Sequence, residues 1–286
     1  MIVDLHMHST ISDGRLTPTE VMTLAHQNGV EMLSLTDHDT MEGTAEARAA
    51  AESLGMQFVP GVEVSTRWAD KVIHIVGLGL DAGNTRAADY FRDACGKRDR
   101  RAREISDRLR EVAGIEGAYE GALSFAMNKY NISRTHFARW LCQEGYVDTY
   151  QGAFDKYLAT TCLVPVDWPK LDETVELIHS AGGLAVIAHP GRYHFKELWM
   201  SYALMQDFKK YGGDAIEVVS GSQSQQSNEY YSDVCRQMGF LASCGSDFHS
   251  FDGDRPHPCR SLSHLGSVEA SEVKKKKNFC WSLIDD

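Results

Sequence analysis

The sequence lacks the features of several protein classes. Its seven cysteines, an odd number, are scattered and include no CxxC pair. This pattern argues against a disulfide frame or a zinc ribbon and favours free thiols in a reducing compartment. No apolar run approaches the roughly 20 residues that span a bilayer, and the N-terminus lacks the basic region and long apolar run of a signal peptide. We therefore expect a cytoplasmic protein without a membrane partner.

Positive charge is also in short supply. The 286 residues carry a net charge of −11, which argues against broad, non-specific nucleic-acid binding through a basic surface. A phosphorylated substrate in a local cationic or metal-bearing pocket remains compatible with this charge. The length and a hydrophobic fraction of 43% fit one large globular domain, or one domain with an insert.

Short apolar strand patterns alternate with helix patterns. The strand candidates are MIVDLHMH, EMLSLTDHD, QFVPGVEVST, VIHIVGLGL, LAVIAHP, DAIEVVS and LASCGSDFH. Between the third and fourth there is no room for a helix. The first helix candidate begins with a capping box, in which Thr17 is the N-cap and Glu20 reaches back. Repeated β/α units with nearly continuous apolar strands predict a parallel sheet that closes into a barrel.

The rhythm is interrupted in the middle of the chain, where long charged helical patterns appear and no strand is clear. We therefore predict a barrel from residues 1–94 and 167–260, a helical insert from 95–166 and a tail from 261–286. The RDRRARE run at 98–104 mixes bases with acids on a long helix, which favours a solvated face.

Histidines and carboxylates recur at or near the ends of the strand candidates. Each residue alone has an ordinary structural interpretation, such as a buried histidine, a capping aspartate or a Pro-Gly turn. Together they favour a metal centre, because the strand ends of a β/α barrel meet at one face. The predicted ligands are His6, His8, Asp13, His38, Glu63, His74, His189, Asp247 and His249.

Nitrogen and oxygen donors without cysteine favour Zn²⁺, Mn²⁺ or Fe²⁺. Nine donors exceed what one ion takes, so two or three ions fit better, with Glu63 bridging. Two ions about 3.5–4 Å apart share a hydroxide and clamp a phosphate oxygen. Asp4, Asp37 and Asp39 are candidates for contacts to the second nitrogens of the histidines.

The motifs DLHMHS, SDG, TDHD, GVE, AHP and GSDFH, with the strand histidine His74, resemble the PHP (polymerase and histidinol phosphatase) family in order and spacing. The resemblance implies a distorted (β/α)7 barrel with a trinuclear site that hydrolyses phosphoesters, with Mn²⁺ first and Fe²⁺ or Zn²⁺ as alternatives. It implies three ligand sets: His6, His8, Glu63 and Asp247; Glu63, His74 and His189; Asp13, His38 and His249.

The insert with its NISRTHFARWL stretch, and AHPGRY after it, resemble the branch of 3′,5′-nucleoside bisphosphate phosphatases related to the exoribonuclease called RNase AM. This implies removal of the 3′-phosphate from a small nucleotide, for example adenosine 3′,5′-bisphosphate, by a metal-bridging hydroxide. The alternatives are a 5′-3′ exoribonuclease on short RNA, a histidinol phosphatase, and a non-catalytic metal-binding module. No protein partner is evident.

A bisphosphate substrate needs a second anion pocket. Arg134 and Arg192 are the candidates, because a guanidinium matches phosphate oxygens, and Ser133 and Thr135 would add hydroxyl donors. The predicted catalytic residues are Asp247, which is also a predicted ligand, and His194, a candidate proton donor to the leaving group. A metal-bound water is the alternative proton donor, and a surface histidine is the simpler interpretation of His194.

Overall fold

The structure, a computed structural model, describes residues 2–193, 195, 197–221 and 223–250. The predicted tail at 261–286 and His194 lie outside the described residues. The strands in the described part are β1 (Val3–Asp4), β2 (Met32–Leu35), β3 (Gln57–Trp68), β4 (Lys71–Leu78), β5 (Leu184–Ile187), β6 (Ala215–Ser220) and β7 (Leu241–Gly245). The helices there are α1 (Pro18–Gln27), α2 (Thr44–Ser53), α3 (Thr85–Ala113), α4 (Ala118–Ser124), α5 (Arg134–Gln143), α6 (Tyr150–Ala153), α7 (Leu171–Ser180), α8 (Leu198–Lys210) and α9 (Gln225–Met238).

The seven strands form one sheet in chain order, from β1 to β7. The two outer strands approach each other: Leu5 N–H donates to Cys244 O at 3.1 Å, and His8 N–H donates to Phe248 O at 2.9 Å. The sheet is therefore curled into a nearly closed barrel, and α2, α7 and α9 pack against its strands. The predicted distorted seven-stranded barrel is confirmed.

Local sequence signals explain the first helix. Thr17 accepts a hydrogen bond from Glu20 N–H through its hydroxyl, and the Glu20 carboxylate accepts from Thr17 N–H at 2.8 Å. The predicted capping box is thus confirmed. Pro18 fills the first helical position, where a missing N–H costs nothing.

β4 departs from the predicted parallel sheet. It pairs antiparallel with both β3 and β5, while the pairs β1–β2, β2–β3, β5–β6 and β6–β7 are parallel. The prediction of a parallel sheet is therefore wrong at this strand. Only Ala69 and Asp70 separate β3 from β4, and a parallel pair needs a crossover of about a dozen residues or more.

The helical middle of the chain has a hydrophobic core of its own. Buried side chains between Ala102 and Val164 pack together, separately from the barrel core. Helix α3 joins the two cores: Phe91 in its first half packs on the barrel, and Leu109 in its second half packs in the helical core. The proposed boundary at residue 95 thus falls inside a continuous helix. Nowhere in the described ranges does a helix combine the length and hydropathy needed to cross a bilayer.

Candidate metal centre

The nine predicted ligands meet at one end of the barrel. Most follow a parallel strand or lie near its C-terminal end, whereas His74 lies in the first half of β4. The reversed direction of β4 brings this first half to the same end, opposite Ser65 of β3. Eight of the nine residues are buried and His74 is half-buried. The barrel thus gathers imidazoles and carboxylates from the two parts of the sequence that flank the helical insert.

The Glu63 carboxylate lies at the middle of the cluster. Its Oε1 is 2.9 Å from His74 Nδ1 and 2.8 Å from His189 Nε2. Its Oε2 is 2.8 Å from His38 Nδ1 and 3.2 Å from His8 Nε2. Both oxygens therefore face histidine nitrogens on different strands, which is the arrangement that a bridging ligand requires.

The donor atoms form three overlapping groups, within each of which they lie no more than 4.8 Å apart: His8, Asp13, His38 and His249; His6, Glu63, His189 and Asp247; His38, Glu63 and His74. All nine predicted ligands belong to at least one group. The groups pair His8 and His189 with different neighbours from those that the resemblance implies. The division of the ligands among individual ions therefore stays a prediction.

Several buried donor atoms need a cation. Asp13 Oδ1, His38 Nδ1, Glu63 Oε2 and His189 Nδ1 have no hydrogen-bond partner among the described residues. His38 Nδ1 and Glu63 Oε2 are close, but their geometry is not that of a hydrogen bond. His6 Nε2 and His8 Nε2 lie 3.1 Å apart, so these two ring nitrogens point to a common region of the cluster. Leaving such atoms buried and unpartnered is costly, and bound divalent ions would satisfy them.

The electrostatics favour the metal-binding protonation states at Glu63, His38 and His189. Burial acts to raise the pKa of Glu63, but the surrounding histidines, His74 first, hold it well below its ordinary value. Burial lowers the pKa of His38 to about 4 and that of His189 to about 3. An ionised carboxylate and neutral imidazoles are the forms that coordinate cations. At His6 and His8 burial acts to lower the pKa, but the neighbouring carboxylates raise it above its ordinary value, so an ion there must displace a proton.

The backbone is strained at the same place. Non-glycine residues with positive φ in the described part are Asp39 (51°), His189 (29°), Asp247 (53°) and Ala69 (50°), and the first three lie at the metal centre. Such conformations persist only where the surroundings fix them. Here Asp247 N–H donates to His6 O at 2.8 Å.

Glu217 of β6 was missed by the sequence analysis. Its two carboxylate oxygens each lie 3.3 Å from His6 Nδ1, and it accepts a hydrogen bond from His189 N–H. It is therefore the observed carboxylate partner of a second ring nitrogen. The printed sequence shows it only as one acid in the apolar strand DAIEVVS.

The aspartates expected to contact histidine rings have other described partners. Asp4 accepts from Ser246 N–H at 2.9 Å, and Asp37 accepts from the hydroxyls of Ser9 and Ser12. Asp39 accepts from Arg98 and Ser65. These carboxylates order the loops that carry the ligands, and Ser12 Oγ in turn lies 3.4 Å from His8 Nδ1.

A cavity of about 330 Å³ opens beside the metal centre. All four predicted substrate-contact residues, Ser133, Arg134, Thr135 and Arg192, line it. Seven of the nine predicted metal ligands line the same cavity: Asp13, His38, Glu63, His74, His189, Asp247 and His249. Arg192 Nη1 contacts the Asp247 carboxylate directly. The predicted phosphate-binding residues thus line the same cavity as most of the predicted metal ligands.

Two further arginines reach this cavity from the RDRRARE run. Arg98 is only 3% exposed and Arg101 is half-buried, whereas Arg100 and Arg103 are exposed. The prediction of a solvated face is therefore wrong for the helix side that carries Arg98 and Arg101, which are three residues apart and share one face. Both guanidinium groups lie over the ring of Trp168, at 5.5 and 5.9 Å.

Among the described residues, Arg98 and Arg192 form ion pairs with Asp39 and Asp247, whereas Arg101 and Arg134 form none. Burial, followed by the charges of Arg98 and Arg134, lowers the pKa of Arg101 well below its ordinary value, and burial also lowers that of Arg134. Arg101 Nε has no hydrogen-bond partner among the described residues. Because arginine keeps its proton in proteins, a bound anion is what relieves this repulsion.

Comparison with known proteins agrees with this geometry. A sequence profile of the PHP domain matches residues 4–220. A 3′,5′-nucleoside bisphosphate phosphatase from Chromobacterium violaceum is 44% identical over 250 residues, covering 87% of each chain. A 5′-3′ exoribonuclease from Haemophilus influenzae is 40% identical over 248 residues, covering 86% of this chain and 89% of the relative. A solved amidohydrolase from C. violaceum, with bound sulfate and no metal, has a TM-score of 0.85 at 41% identity and covers 94% of this chain and 96% of its own. The chain belongs to the PHP domain family.

Proposed function

We propose that the protein is a metal-dependent phosphoesterase that removes the 3′-phosphate from nucleoside 3′,5′-bisphosphates. The observation that carries the proposal is the cavity, in which a cluster of nitrogen and oxygen ligands faces a wall of arginines. The bisphosphate phosphatase from C. violaceum, 44% identical, supports the choice of substrate. The sulfate in the solved C. violaceum structure shows that this relative binds a tetrahedral anion.

The residues divide into two functions. The predicted ligands His6, His8, Asp13, His38, Glu63, His74, His189, Asp247 and His249 would hold two or three divalent ions, with Mn²⁺ first and Fe²⁺ or Zn²⁺ as alternatives. Such ions supply a nucleophile from water at neutral pH and neutralise phosphoryl oxygens. The proposed anion-binding residues then orient the substrate, so that the 3′-phosphate lies over the ligands.

Substrate orientation depends on two sides of the cavity. Arg192, next to Asp247, is placed to donate to the oxygens of the scissile phosphate. Arg134 and Arg101, on the insert side, are placed to bind the 5′-phosphate. Ser133 is the N-cap of α5, so the first backbone N–H groups of that helix add positive potential beside Arg134.

A second candidate function is 5′-3′ exoribonuclease activity on short 5′-phosphorylated oligonucleotides. The H. influenzae relative that bears this name is 40% identical. The same 5′-phosphate pocket serves both reactions, because an oligonucleotide differs only beyond the 3′-phosphate. The net charge of −11 favours small substrates over long polymers.

The test measures hydrolysis of a panel of substrates before and after chelation, as inorganic phosphate from the monoesters and as released nucleotide from the dinucleotide. The panel contains adenosine 3′,5′-bisphosphate, a 5′-phosphorylated dinucleotide, histidinol phosphate and adenosine 5′-monophosphate, each with added Mn²⁺. We expect the fastest turnover with the bisphosphate and its loss on chelation. Faster turnover of the dinucleotide favours the exoribonuclease, and no hydrolysis of any phosphoester by folded, metal-loaded protein refutes the proposal.

We also propose a cytoplasmic location. Five cysteines in the described ranges are free thiols, at positions 95, 142, 162, 235 and 244. Free, largely buried thiols fit a reducing compartment. Fractionation of cells that express the protein with a C-terminal tag tests this, and recovery outside the cytoplasmic fraction would contradict it.

A further inference from the structure

The insert touches the metal centre through buried polar side chains. Asn131 Nδ2 donates to the backbone oxygen of His38 at 2.7 Å. Arg139 Nη2 donates to the backbone oxygen of Asp13, also at 2.7 Å. The two contacted residues are predicted ligands, and both lie on loops that leave the barrel strands.

A third contact reaches the residue after His38. Arg98 Nε donates to Asp39 Oδ2 at 2.9 Å, and Arg98 Nη2 donates to Ser65 Oγ at 3.1 Å. Asp39 has a φ of 51° and accepts a further hydrogen bond from Ser65 N–H at 2.7 Å. The strained turn that orients His38 is therefore fixed partly from the insert.

The three donors are almost inaccessible to water. Asn131 is fully buried, Arg98 is 3% exposed and Arg139 is 6% exposed. Hydrogen bonds from buried charged donors are strong, and loss of one donor leaves the acceptor unsatisfied. Glu63 and His74, in contrast, lie within β3 and β4, where the backbone ladder of the sheet fixes their positions.

We propose that Arg98, Asn131 and Arg139 are positioning residues that hold Asp13 and His38 in the geometry of metal ligands. On the division of ligands that the resemblance implies, the ion bound by Asp13, His38 and His249 then depends on the insert, whereas the ions held through Glu63 and His74, which lie within strands, do not. This inference rests on the proposed metal centre.

One helix links ion binding to substrate binding. Ser133 and Arg134 begin α5 and line the cavity, and Arg139 lies further along the same helix. A shift of α5 therefore displaces the anion pocket and the Asp13 loop together. Substrate anchored at Arg134 stabilises the α5 position that also holds the insert-dependent ion.

The test measures bound metal rather than turnover. The variants are Asn131→Ala, Arg139→Gln and Arg98→Lys, and Arg110→Gln is the matched control, because Arg110 is an exposed arginine of the same insert. Each protein is dialysed against graded Mn²⁺, and the bound ions are counted by mass spectrometry. We expect the control to match the wild type, and each of the three variants to weaken the binding of one ion by about 10- to 100-fold, as for other residues that orient metal ligands, with the remaining ions unchanged.

Circular dichroism and melting of the metal-free proteins show whether each variant is folded. Arg98→Lys keeps the charge and decides the question if the larger truncations unfold. Wild-type affinity for every ion in folded variants overturns the inference, as does equal weakening of all ions. A wild-type protein that binds no Mn²⁺, Fe²⁺ or Zn²⁺ refutes the proposed function itself. Loss of one ion alone supports the positioning role.

Discussion

Replacement of Arg134 by glutamine tests the proposal that one side of the cavity binds the 5′-phosphate while the other holds the scissile 3′-phosphate. Glutamine keeps much of the side-chain length and some hydrogen-bonding capacity but removes the charge. Arg134 is half-buried near Arg98 and Arg101, and among the described residues no carboxylate forms an ion pair with its guanidinium, although Asp13 attracts it at longer range. Its effect on catalysis is therefore expected to come from contact with the 5′-phosphate.

The size of the effect follows from the contact. A hydrogen bond to a charged group contributes about 1.5–3 kcal/mol. At about 1.36 kcal/mol for each factor of ten, Arg134→Gln lowers kcat/KM for adenosine 3′,5′-bisphosphate by about 10- to 150-fold. For adenosine 3′-monophosphate, which lacks the 5′-phosphate, we expect less than about a threefold change.

The assay is phosphate release with both substrates, for the wild type, Arg134→Gln and the control Arg110→Gln. The quantity that matters is the ratio of the two kcat/KM values in each protein. The wild type and the control share one ratio, and Arg134→Gln loses most of the preference. An equal loss on both substrates would refute a 5′-phosphate contact and would indicate a general disturbance of the site.

Three other variants test the surroundings of the site. Glu217→Gln, compared with the exposed control Glu229→Gln, is expected to weaken Mn²⁺ binding by about 10- to 100-fold in dialysis experiments, and unchanged binding contradicts a role in orienting its histidine. Burial lowers the pKa of His136 from 6.5 to about 4. As the pH falls below 6.5, this histidine is therefore protonated in the unfolded chain before it is protonated in the folded protein. Its contribution to the free energy of unfolding is full above pH 6.5 and falls by about 3 kcal/mol towards pH 4. His136→Gln keeps an acceptor for the N–H of Ser133, and in denaturant titrations we expect it to reduce this loss of stability at low pH. An equal loss in the wild type and the variant would contradict a buried, neutral His136. Gly245→Ala places a Cβ against His6 and Glu217 and lowers the free energy of unfolding by about 1–3 kcal/mol, whereas an unchanged melting curve refutes close packing there.

The sequence predicted the site best where the type of a residue and its position after a strand were enough to indicate a metal ligand. His6, Asp13 and Asp247 stand out because polar residues rarely follow apolar strands without a reason. The barrel rule then predicts that such positions meet at one face, and the structure brings their side chains together. The capping box at Thr17 is equally local, and therefore equally visible.

Features that depend on spatial neighbours were missed. An apolar pattern carries no strand direction, so the reversal of β4 emerged only from its pairing. Glu217 acquires its role from the approach of β6 to His6, some 200 residues away along the chain. Arg98 and Arg101 share a run with exposed arginines, and only the packing of α3 separates the buried face from the solvated one.

The reversal of β4 has a mechanical consequence for the whole insert. Because β4 runs antiparallel to its neighbours, the chain leaves it at the end of the barrel opposite the metal centre. Helix α3 must therefore run back along the barrel before Arg98 reaches Asp39. From Thr85 to Arg98 this distance is roughly 20 Å at 1.5 Å per residue. The length and the rotational phase of α3 therefore both matter. One residue added or deleted between Thr85 and Arg98 rotates the C-terminal part of the helix, Arg98 included, by roughly 100° about the helix axis. Such a change would turn Arg98 away from Asp39 although no residue that lines the cavity had been replaced.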